Sequence, residues 1–213
     1  MHVTDGILPI AVCAGGYAIS GLASWYSLKK INEKKEPKKG IPKASLGTAA
    51  FLAASLIYIP VPPTSVHLLL IGLMGILLEY YAFPAILISL LFQAIMFQHG
   101  GLTTLGVNAV IMGLPAMLCH YIYKHTKRFT KNSNFMNGII GFSIGAIGVI
   151  ISVLLFYIVI TSFIPAHLDV ETEKKAVYTL TIAYIPLAFI EGIFTSLLLI
   201  YLKKVKPEML EGY

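Results

Sequence analysis

The first two residues of the chain, Met1 and His2, could together bind a metal ion. A free α-amine, the amide nitrogen of His2 and one nitrogen of its ring can close two fused chelate rings around one ion. Nitrogen-rich, planar ligation of this kind suits Ni(II) or Cu(II), whereas protein-bound Zn(II) is generally tetrahedral. The alternative is that His2 is an ordinary exposed residue, because chain termini are often poorly ordered.

His67 is the second candidate ligand. It follows the proline-rich segment 60–65 and begins an apolar stretch. Ionisable residues at a membrane boundary are uncommon and histidine is the commonest metal ligand, so a binding role is one hypothesis. The other hypothesis is an interfacial histidine that hydrogen-bonds a loop carbonyl.

A polar stretch at residues 98–108 reads QHGGLTTLGVN and opens another apolar segment. Its glycines allow close backbone approach or positive φ, and Gln98, His99, Thr103 and Asn108 can form hydrogen bonds that are unusual at this depth. The stretch matches neither phosphate-loop pattern. Two interpretations stay open: part of a binding site, or a re-entrant turn whose polar groups satisfy its own backbone.

Three carboxylates lie near the apolar stretches. Asp5 could order the terminus by accepting local amide hydrogens, and Glu79 lies between two short stretches, where water or a basic neighbour would stabilise it. Glu191 falls near the middle of the last stretch, and a buried carboxylate is costly unless it is paired or protonated. Because Pro186 lies one turn earlier, we expect Glu191 to bind backbone groups freed by a kink rather than a metal.

The composition is that of a membrane protein. The 213-residue chain is 57% hydrophobic and only 12% charged. Soluble domains carry about 45–50% apolar and about 25% charged residues, so this chain lacks the charge that a water-facing surface needs. A soluble enzyme, a nucleic-acid reader and a disordered chain are excluded. Cys13 and Cys119 lie far apart without C-x-x-C spacing, which indicates neither a disulfide framework nor a thiolate metal site.

Seven apolar stretches predict an all-α, polytopic membrane protein with seven transmembrane helices. They cover residues 7–28, 45–61, 66–78, 83–97, 102–123, 138–164 and 177–202. The third and fourth could form one helix, but about 32 residues at about 1.5 Å each would overshoot a bilayer core of about 30 Å. We therefore predict two short helices joined between Glu79 and Pro84.

The positions of lysine and arginine test this count. Most basic residues fall in three segments, 29–43, 124–131 and 203–206. With seven spans all three segments lie on one side, whereas fusing the third and fourth spans would place the first segment opposite the other two. The positive-inside rule makes that side cytoplasmic, so we predict the N-terminus outside and the C-terminus in the cytoplasm. Residues 29–44 are expected to form a basic cytoplasmic loop near anionic headgroups.

The beginning of the chain is not expected to be a signal peptide. Its first residues carry no lysine or arginine, and no A-x-A-like cleavage pattern follows the apolar stretch. Because His2 is large, we expect Met1 to be retained with a free amine on the outer face. Residues 1–6 are thus predicted to form a metal-chelating segment of a single transmembrane domain that covers residues 1–213.

Three blocks of this sequence resemble the CbiM/NikM-type membrane component, the metal-specific subunit of energy-coupling factor transporters for cobalt and nickel. The blocks are residues 1–9 (MHVTDGILP), residues 98–108 and residues 185–192 (IPLAFIEG). They stand in the order that the family shows, and the resemblance extends from residue 1 to about residue 200. One departure is PPTSVHL at residues 62–68, where many members have a Ser-Cys-Ser-His-Pro-Thr-Gly-like segment.

The resemblance implies that the N-terminal segment folds back into the helical bundle. There the Met1 amine and the amide and ring nitrogens of His2 would bind the ion, and His67 would complete a near-planar set of four nitrogens. The residues expected to support this site are His99, Thr103 and Asn108. The departure around His67 leaves the geometry and metal preference open.

The resemblance also implies a function in uptake. The chain would capture Ni(II) or Co(II) as its transported substrate outside the plasma membrane of a prokaryote and deliver it to the cytoplasm. No G-x-x-x-x-G-K-S/T pattern occurs, so we expect a transport subunit rather than an enzyme. Two ATP-binding cassette ATPases would act through a transmembrane coupling protein, with or without a small accessory membrane subunit. The pairs Ala49/Ala53 and Ala50/Ala54 resemble the face that such subunits present to the coupling protein.

Two other functions stay open at this point. An organic-micronutrient uptake subunit of the same architecture would have an apolar pocket with a few orienting polar groups. An intramembrane metalloenzyme is the other, although the sequence lacks an H-E-x-x-H pair and has no carboxylate beside His67 to act as a general base. The sequence does not choose between nickel and cobalt, because selectivity depends on site geometry and metal availability.

Overall fold

A computed structural model describes residues 2–61, 64–127, 133–164 and 169–210. Within these ranges the chain forms α-helices and one short β-hairpin. The helices are α1 (Ile10–Asn32), α2 (Ile41–Ser55), α3 (Ile71–Leu78), α4 (Ala82–Phe97), α5 (Leu105–Thr126), α6 (Asn134–Ser162) and α7 (Val170–Val205). The hairpin pairs β1 (Tyr58–Val61) antiparallel with β2 (Thr64–His67), and Tyr58 lies opposite His67.

Four of the described segments are long and apolar enough to cross a membrane: Ile71–Phe97, which contains α3 and α4, and the helices α5, α6 and α7. Large apolar side chains point away from the bundle on α6 and α7, such as Ile158, Ile185 and Leu197. Such exposure is costly in water and is expected of helices that face lipid. The prediction that seven helices cross the membrane stays a prediction.

The segment Ile71–Phe97 turns back on itself between α3 and α4. A straight helix of 27 residues would hold its ends about 40 Å apart. Yet His67, just before α3, and His99, just after α4, have ring centroids only 5.6 Å apart. The reversal follows α3 at Glu79, where φ is 56° and the carboxylate pairs with Lys34. The prediction of two short helices joined here is confirmed.

The first two basic segments contact the residues that follow the third, at the end of the bundle away from His67 and His99. The Nζ of Lys43 donates to the carbonyl of Met209 at 3.0 Å, and the Nζ of Lys127 donates to the carbonyl of Leu210 at 2.7 Å. These contacts agree with the seven-span arrangement and contradict the six-span one, which separates the first basic segment from the others. Two of the basic residues, Arg128 and Lys131, lie outside the described residues. That this end faces the cytoplasm stays a prediction.

Several predicted boundaries are wrong. The second stretch, 45–61, is α2 followed by the strand β1, because Pro60 cannot continue a helix and a strand edge accepts it. The fold is therefore predominantly helical rather than all-α. The predicted loop 29–44 is shorter, because α1 continues to Asn32 and α2 begins at Ile41.

Helix α7 begins seven residues earlier than predicted, because Asp169 caps it. The Asp169 carboxylate accepts the backbone amides of Glu171 and Thr172 at 3.1 and 3.4 Å. A side-chain oxygen at this position satisfies amides that have no partner inside the helix. The cap lies in a charged segment, which hydropathy alone does not assign to a span.

Helix α3 is held in place by a close contact with α6. A Cβ atom placed on Gly72 would lie 2.6 Å from the Cα of Gly145 and from the carbonyl oxygen of Ile144. Small residues allow backbones to approach in this way, and such surfaces join helices in lipid. The contact fixes the beginning of α3, which follows His67 after the turn at residues 68–70.

The substitution Gly72→Ala is expected to destabilise the protein by about 1–3 kcal/mol, because it forces α3 away from α6. Thermal unfolding of the purified chain in detergent should show a lower Tm. The control is Gly21→Ala in α1, where an added Cβ meets nothing within 4 Å and should leave Tm unchanged or slightly raised. Equal Tm values for both variants would contradict a tight α3–α6 contact.

Candidate metal centre

The N-terminal segment docks against the start of α5 through backbone hydrogen bonds. The Val3 amide donates to Asn108 Oδ1 at 2.8 Å, and Asn108 Nδ2 donates to the Val3 carbonyl at 2.9 Å. The Thr104 hydroxyl donates to the same carbonyl at 2.7 Å. Val3 itself is 1% exposed. The buried Asn108 side chain thus pairs with the Val3 backbone as a neighbouring β-strand would, and it fixes the position of residue 3.

Asp5 binds the turn that leads into α5. Its carboxylate accepts the backbone amides of Leu102 at 3.1 Å and Thr103 at 3.0 Å, and the Thr103 hydroxyl at 2.5 Å. A negative charge is favoured near the amides that begin a helix. The Thr103 hydrogen bond in particular holds the pKa of Asp5 below its usual value. The prediction that Asp5 accepts amides close to it in sequence was wrong, since these donors belong to the polar stretch at residues 98–108.

The glycines of that stretch make room for the docked segment. Gly100 has a φ of +85°, and its Cα faces His2 closely enough that a Cβ would lie 3.6 Å from the His2 ring. A side chain at Gly101 would overlap the Asp5 carboxylate. Both positions therefore require glycine, one for its conformation and the other for its size.

Docking brings the His2 ring beside those of His67 and His99, so that the three rings form a triangle. The ring centroids are 5.2 Å apart for His2 and His67, 4.2 Å for His2 and His99, and 5.6 Å for His67 and His99. One ring nitrogen of each residue lies within 4.8 Å of those of the other two. Metal–nitrogen bonds are about 2.0–2.1 Å long, so a small inward shift lets these nitrogens share one ion.

His67 is positioned by the hairpin and by the turn that precedes α3. It ends β2, is 1% exposed, and its Nδ1 lies 3.0 Å from the Leu68 carbonyl. A carbonyl only accepts, so Nδ1 carries the proton and Nε2 is the nitrogen able to accept a metal. The hydrogen bond to a loop carbonyl, which the alternative interpretation of His67 expected, is present. That bond alone does not explain why the His67 ring lies beside two other imidazoles.

Glu191 of α7 holds the turn that follows His67. Its carboxylate accepts the Leu69 amide, and Leu70 has a φ of 51° as the chain enters α3. The expected partners, backbone groups freed near Pro186, are not the ones that it binds. The turn at residues 68–70 lies between a strand and a helix, so its amides need an acceptor, and a buried carboxylate supplies one.

Burial keeps the three imidazoles neutral. It lowers the pKa of His2 and His67 well below the usual value and lowers the pKa of His99 to about 4. Neutral imidazole is the form that binds metals. Both ring nitrogens of His2 are buried and have no hydrogen-bond partner among the described residues. An unpartnered buried polar atom costs about 1–3 kcal/mol, which a bound ion would offset.

The structure thus gathers most of the predicted site residues in one place. His2, His67 and His99 form the cluster, while Asp5, Thr103, Asn108 and Glu191 hold the backbone around it. Met1 lies outside the described residues. His99, predicted to support the site, lies closer to His2 than His67 does, at 4.2 Å against 5.2 Å between ring centroids.

Sequence reasoning missed Gln93. This side chain is fully buried in α4, lies beside the His2 ring, and donates to Ser89 Oγ at 3.3 Å. The backbone carbonyl of Gln93 accepts the His99 amide at 3.1 Å, which fixes the exit of the chain from α4. A glutamine inside an otherwise apolar stretch was the signal that could have revealed it.

The fold and the buried histidine cluster define a multi-pass membrane protein with a candidate metal centre built partly from its N-terminal segment. Residues 2–209 match the family described as CbiM, cobalt uptake substrate-specific transmembrane region. The chain belongs to this family.

Relatives of known name agree with this assignment. A Haemophilus influenzae protein assigned to metal transport is 31% identical, over 99% of this chain and 97% of its own length. The cobalt transport protein CbiM of Clostridium tetani is 29% identical, over 99% of this chain and 88% of its own length. A crystal structure of a transition metal transporter, 22% identical, covers 96% of this chain and 93% of its own with a TM-score of 0.74, which shows a shared fold.

The substitution Asn108→Leu is expected to release the N-terminal segment, because it removes both hydrogen bonds to Val3. Hydrogen–deuterium exchange followed by mass spectrometry should show the first peptide exchanging about tenfold faster or more. The control is Asn137→Leu, which removes another buried asparagine, at the start of α6. Unchanged exchange at the N-terminus in Asn108→Leu would contradict the docking role of Asn108.

Proposed function

We propose that this chain is the metal-specific membrane subunit of an energy-coupling factor transporter that takes up Ni(II) or Co(II). The observation that carries this proposal is the convergence of three neutral imidazoles, that of His67 buried and those of His2 and His99 partly buried, with His2 on the docked N-terminal segment. Membership of the cobalt-uptake family supports it. A fused protein of Archaeoglobus fulgidus assigned to nickel transport, NikMN, is also 28% identical over 99% of this chain.

The proposed ligands are the amine of Met1, the amide and ring nitrogens of His2, and His67. The rings of His2 and His67 lie 25° from parallel, whereas His99 is inclined at 76° and 72° to them. The inclination of its ring thus distinguishes His99 from the other two histidines. We assign it to the support of the site.

The transport step requires partners. Two ATP-binding cassette ATPases and a transmembrane coupling protein would supply the energy, with or without a small accessory membrane subunit. The ion would enter from outside, where the N-terminal segment closes over it, and would leave to the cytoplasm. The meeting of the basic segments at the opposite end of the bundle supports this direction, since basic segments favour the cytoplasmic side.

Replacing either predicted ligand should abolish tight binding. His2→Ala and His67→Ala are each expected to weaken Ni(II) binding by at least about a hundredfold, as should one extra residue before Met1, which displaces the amine. Isothermal titration calorimetry of the purified chain with a native N-terminus measures this. His125→Ala, an exposed histidine at the far end of α5, is the control. Tight binding by the extended variant would refute the amine as a ligand.

His99→Ala separates a supporting role from ligation. A supporting residue should lower Ni(II) affinity by about 10- to 100-fold while the weak visible absorption band of planar Ni(II) keeps its position. His67→Ala should remove that band. A band lost or shifted equally in both variants would show that His99 is itself a ligand.

The pH dependence of binding should follow the amine rather than the histidines. Because burial lowers the pKa of all three imidazoles, they stay neutral as the pH falls from 7 to 6. Binding at pH 6 should then release about two protons, from the amine, whose usual pKa is about 7.7–8.0, and from the His2 amide. Calorimetry in two buffers of different ionisation enthalpy counts these protons. If metal binding at pH 6 released one additional proton for each histidine, the rings would be protonated before the metal binds, which would contradict their burial.

A further inference from the structure

The ring of His2 has two buried nitrogens, and one metal ion can satisfy only one of them. Both lack a hydrogen-bond partner among the described residues. Under the proposed function the ion also binds the amide nitrogen of His2. From there Nδ1 closes a six-membered chelate ring, whereas Nε2 lies on the far side of the imidazole. Nδ1 is therefore the ligand, while Nε2 carries the proton of the neutral ring and needs an acceptor.

Gln93 of α4 supplies an acceptor beside this ring. Its side chain is fully buried and faces the His2 ring. Its carbonyl oxygen, Oε1, is itself buried and has no hydrogen-bond partner among the residues that the structure describes. An amide oxygen accepts hydrogen bonds and cannot donate them. A buried donor and a buried acceptor, each without a partner, thus lie on neighbouring side chains of the metal centre.

Ser89, one turn earlier in α4, sets the orientation of the Gln93 amide. The amide nitrogen of Gln93 donates to Ser89 Oγ at 3.3 Å, and Ser89 is fully buried. Because the nitrogen is held there, the oxygen is the atom left to face His2. The opposite orientation would present the NH₂ group to the ring. His2 would then hold its proton on Nδ1, which is the nitrogen that the ion requires.

His99 is a further polar side chain beside the His2 ring. Their ring centroids are 4.2 Å apart and their planes are inclined at 76°. An imidazole donates or accepts according to its own tautomer, so contact with His99 does not dictate which nitrogen of His2 keeps the proton. An amide held by Ser89 does dictate it. Gln93 also lies within α4, whereas His99 follows the end of that helix.

We propose that Gln93 is a positioning residue that fixes the tautomer of His2: its Oε1 accepts the proton of Nε2 and leaves the lone pair of Nδ1 to the ion. The benefit to metal binding rests on the proposed function. Hydrogen-bond partners of this kind orient a ligating histidine and raise the basicity of the nitrogen that binds the metal. Gln93 is not itself a ligand and acts through His2.

Nitrogen-15 NMR of the metal-free chain, labelled at histidine and held in detergent, tests the tautomer without any metal. The His2 signals are identified by their absence in His2→Ala. We expect the ring proton on Nε2, protected from exchange with water. Gln93→Met keeps the approximate size of the side chain and removes the acceptor, so this proton should exchange about tenfold faster or more. The control is Gln98→Met, the same change at an exposed glutamine.

Calorimetry with Ni(II) tests the consequence for binding. Gln93→Met should weaken the affinity by about 10- to 100-fold. Gln93→Glu retains an acceptor oxygen, and carboxylates commonly hold ligating histidines, so this variant should bind within about threefold of the wild type. Gln98→Met should bind as the wild type does.

Three results overturn the proposal. The first is a proton on Nδ1 in the wild type, and the second is unchanged exchange in Gln93→Met, which would assign the acceptor role to another group such as His99. The third is wild-type nickel affinity in Gln93→Met while His2→Ala abolishes binding. A failure of the proposed function looks different. If His2→Ala binds nickel as tightly as the wild type, ligation by His2 is refuted, whereas the hydrogen bond to Gln93 is decided by the NMR measurement.

Discussion

The pairing of the Asn108 side chain with the backbone of Val3 is the interaction on which the candidate site depends. Ordering a chain terminus costs about 1–2 kcal/mol per residue in backbone entropy. Here two hydrogen bonds to Asn108, one to Thr104, those of Asp5 and the burial of Val3 offset that cost. Without them His2 would be a solvated residue at a frayed end, and no third imidazole would meet His67 and His99.

The rest of the fold brings the remaining residues to the same place. The reversal at Glu79 returns the chain so that His67 and His99 lie at one end of the bundle. Glu191 holds the turn after His67, and the Gly72–Gly145 contact holds the helix that follows. A cluster of neutral, partly unsatisfied imidazoles in a low-dielectric setting is unfavourable by itself. A positive ion that accepts their lone pairs removes that cost, which gives the site a physical reason to bind metal.

Much of the fold could be predicted from sequence, because hydropathy and lysine positions report on long segments. The two-helix interpretation of residues 66–97 followed from bilayer thickness, and the common side of the basic segments followed from counting spans. The hairpin at Tyr58–His67 could not be predicted, because each strand has only four residues and β1 is apolar like the helices beside it. From the sequence, Asp5 and Glu191 were expected to bind backbone groups close to them along the chain. Their partners lie far along the chain, where only the folded structure brings them close.

We propose that the N-terminal segment and the histidine cluster together bind the transported ion. Nickel K-edge X-ray absorption of the metal-loaded chain tests it most directly. We expect a shell of nitrogen atoms with the outer-shell scattering of imidazole, and a loss of part of that scattering in His67→Ala. An oxygen-rich shell that His67→Ala leaves unchanged would contradict it.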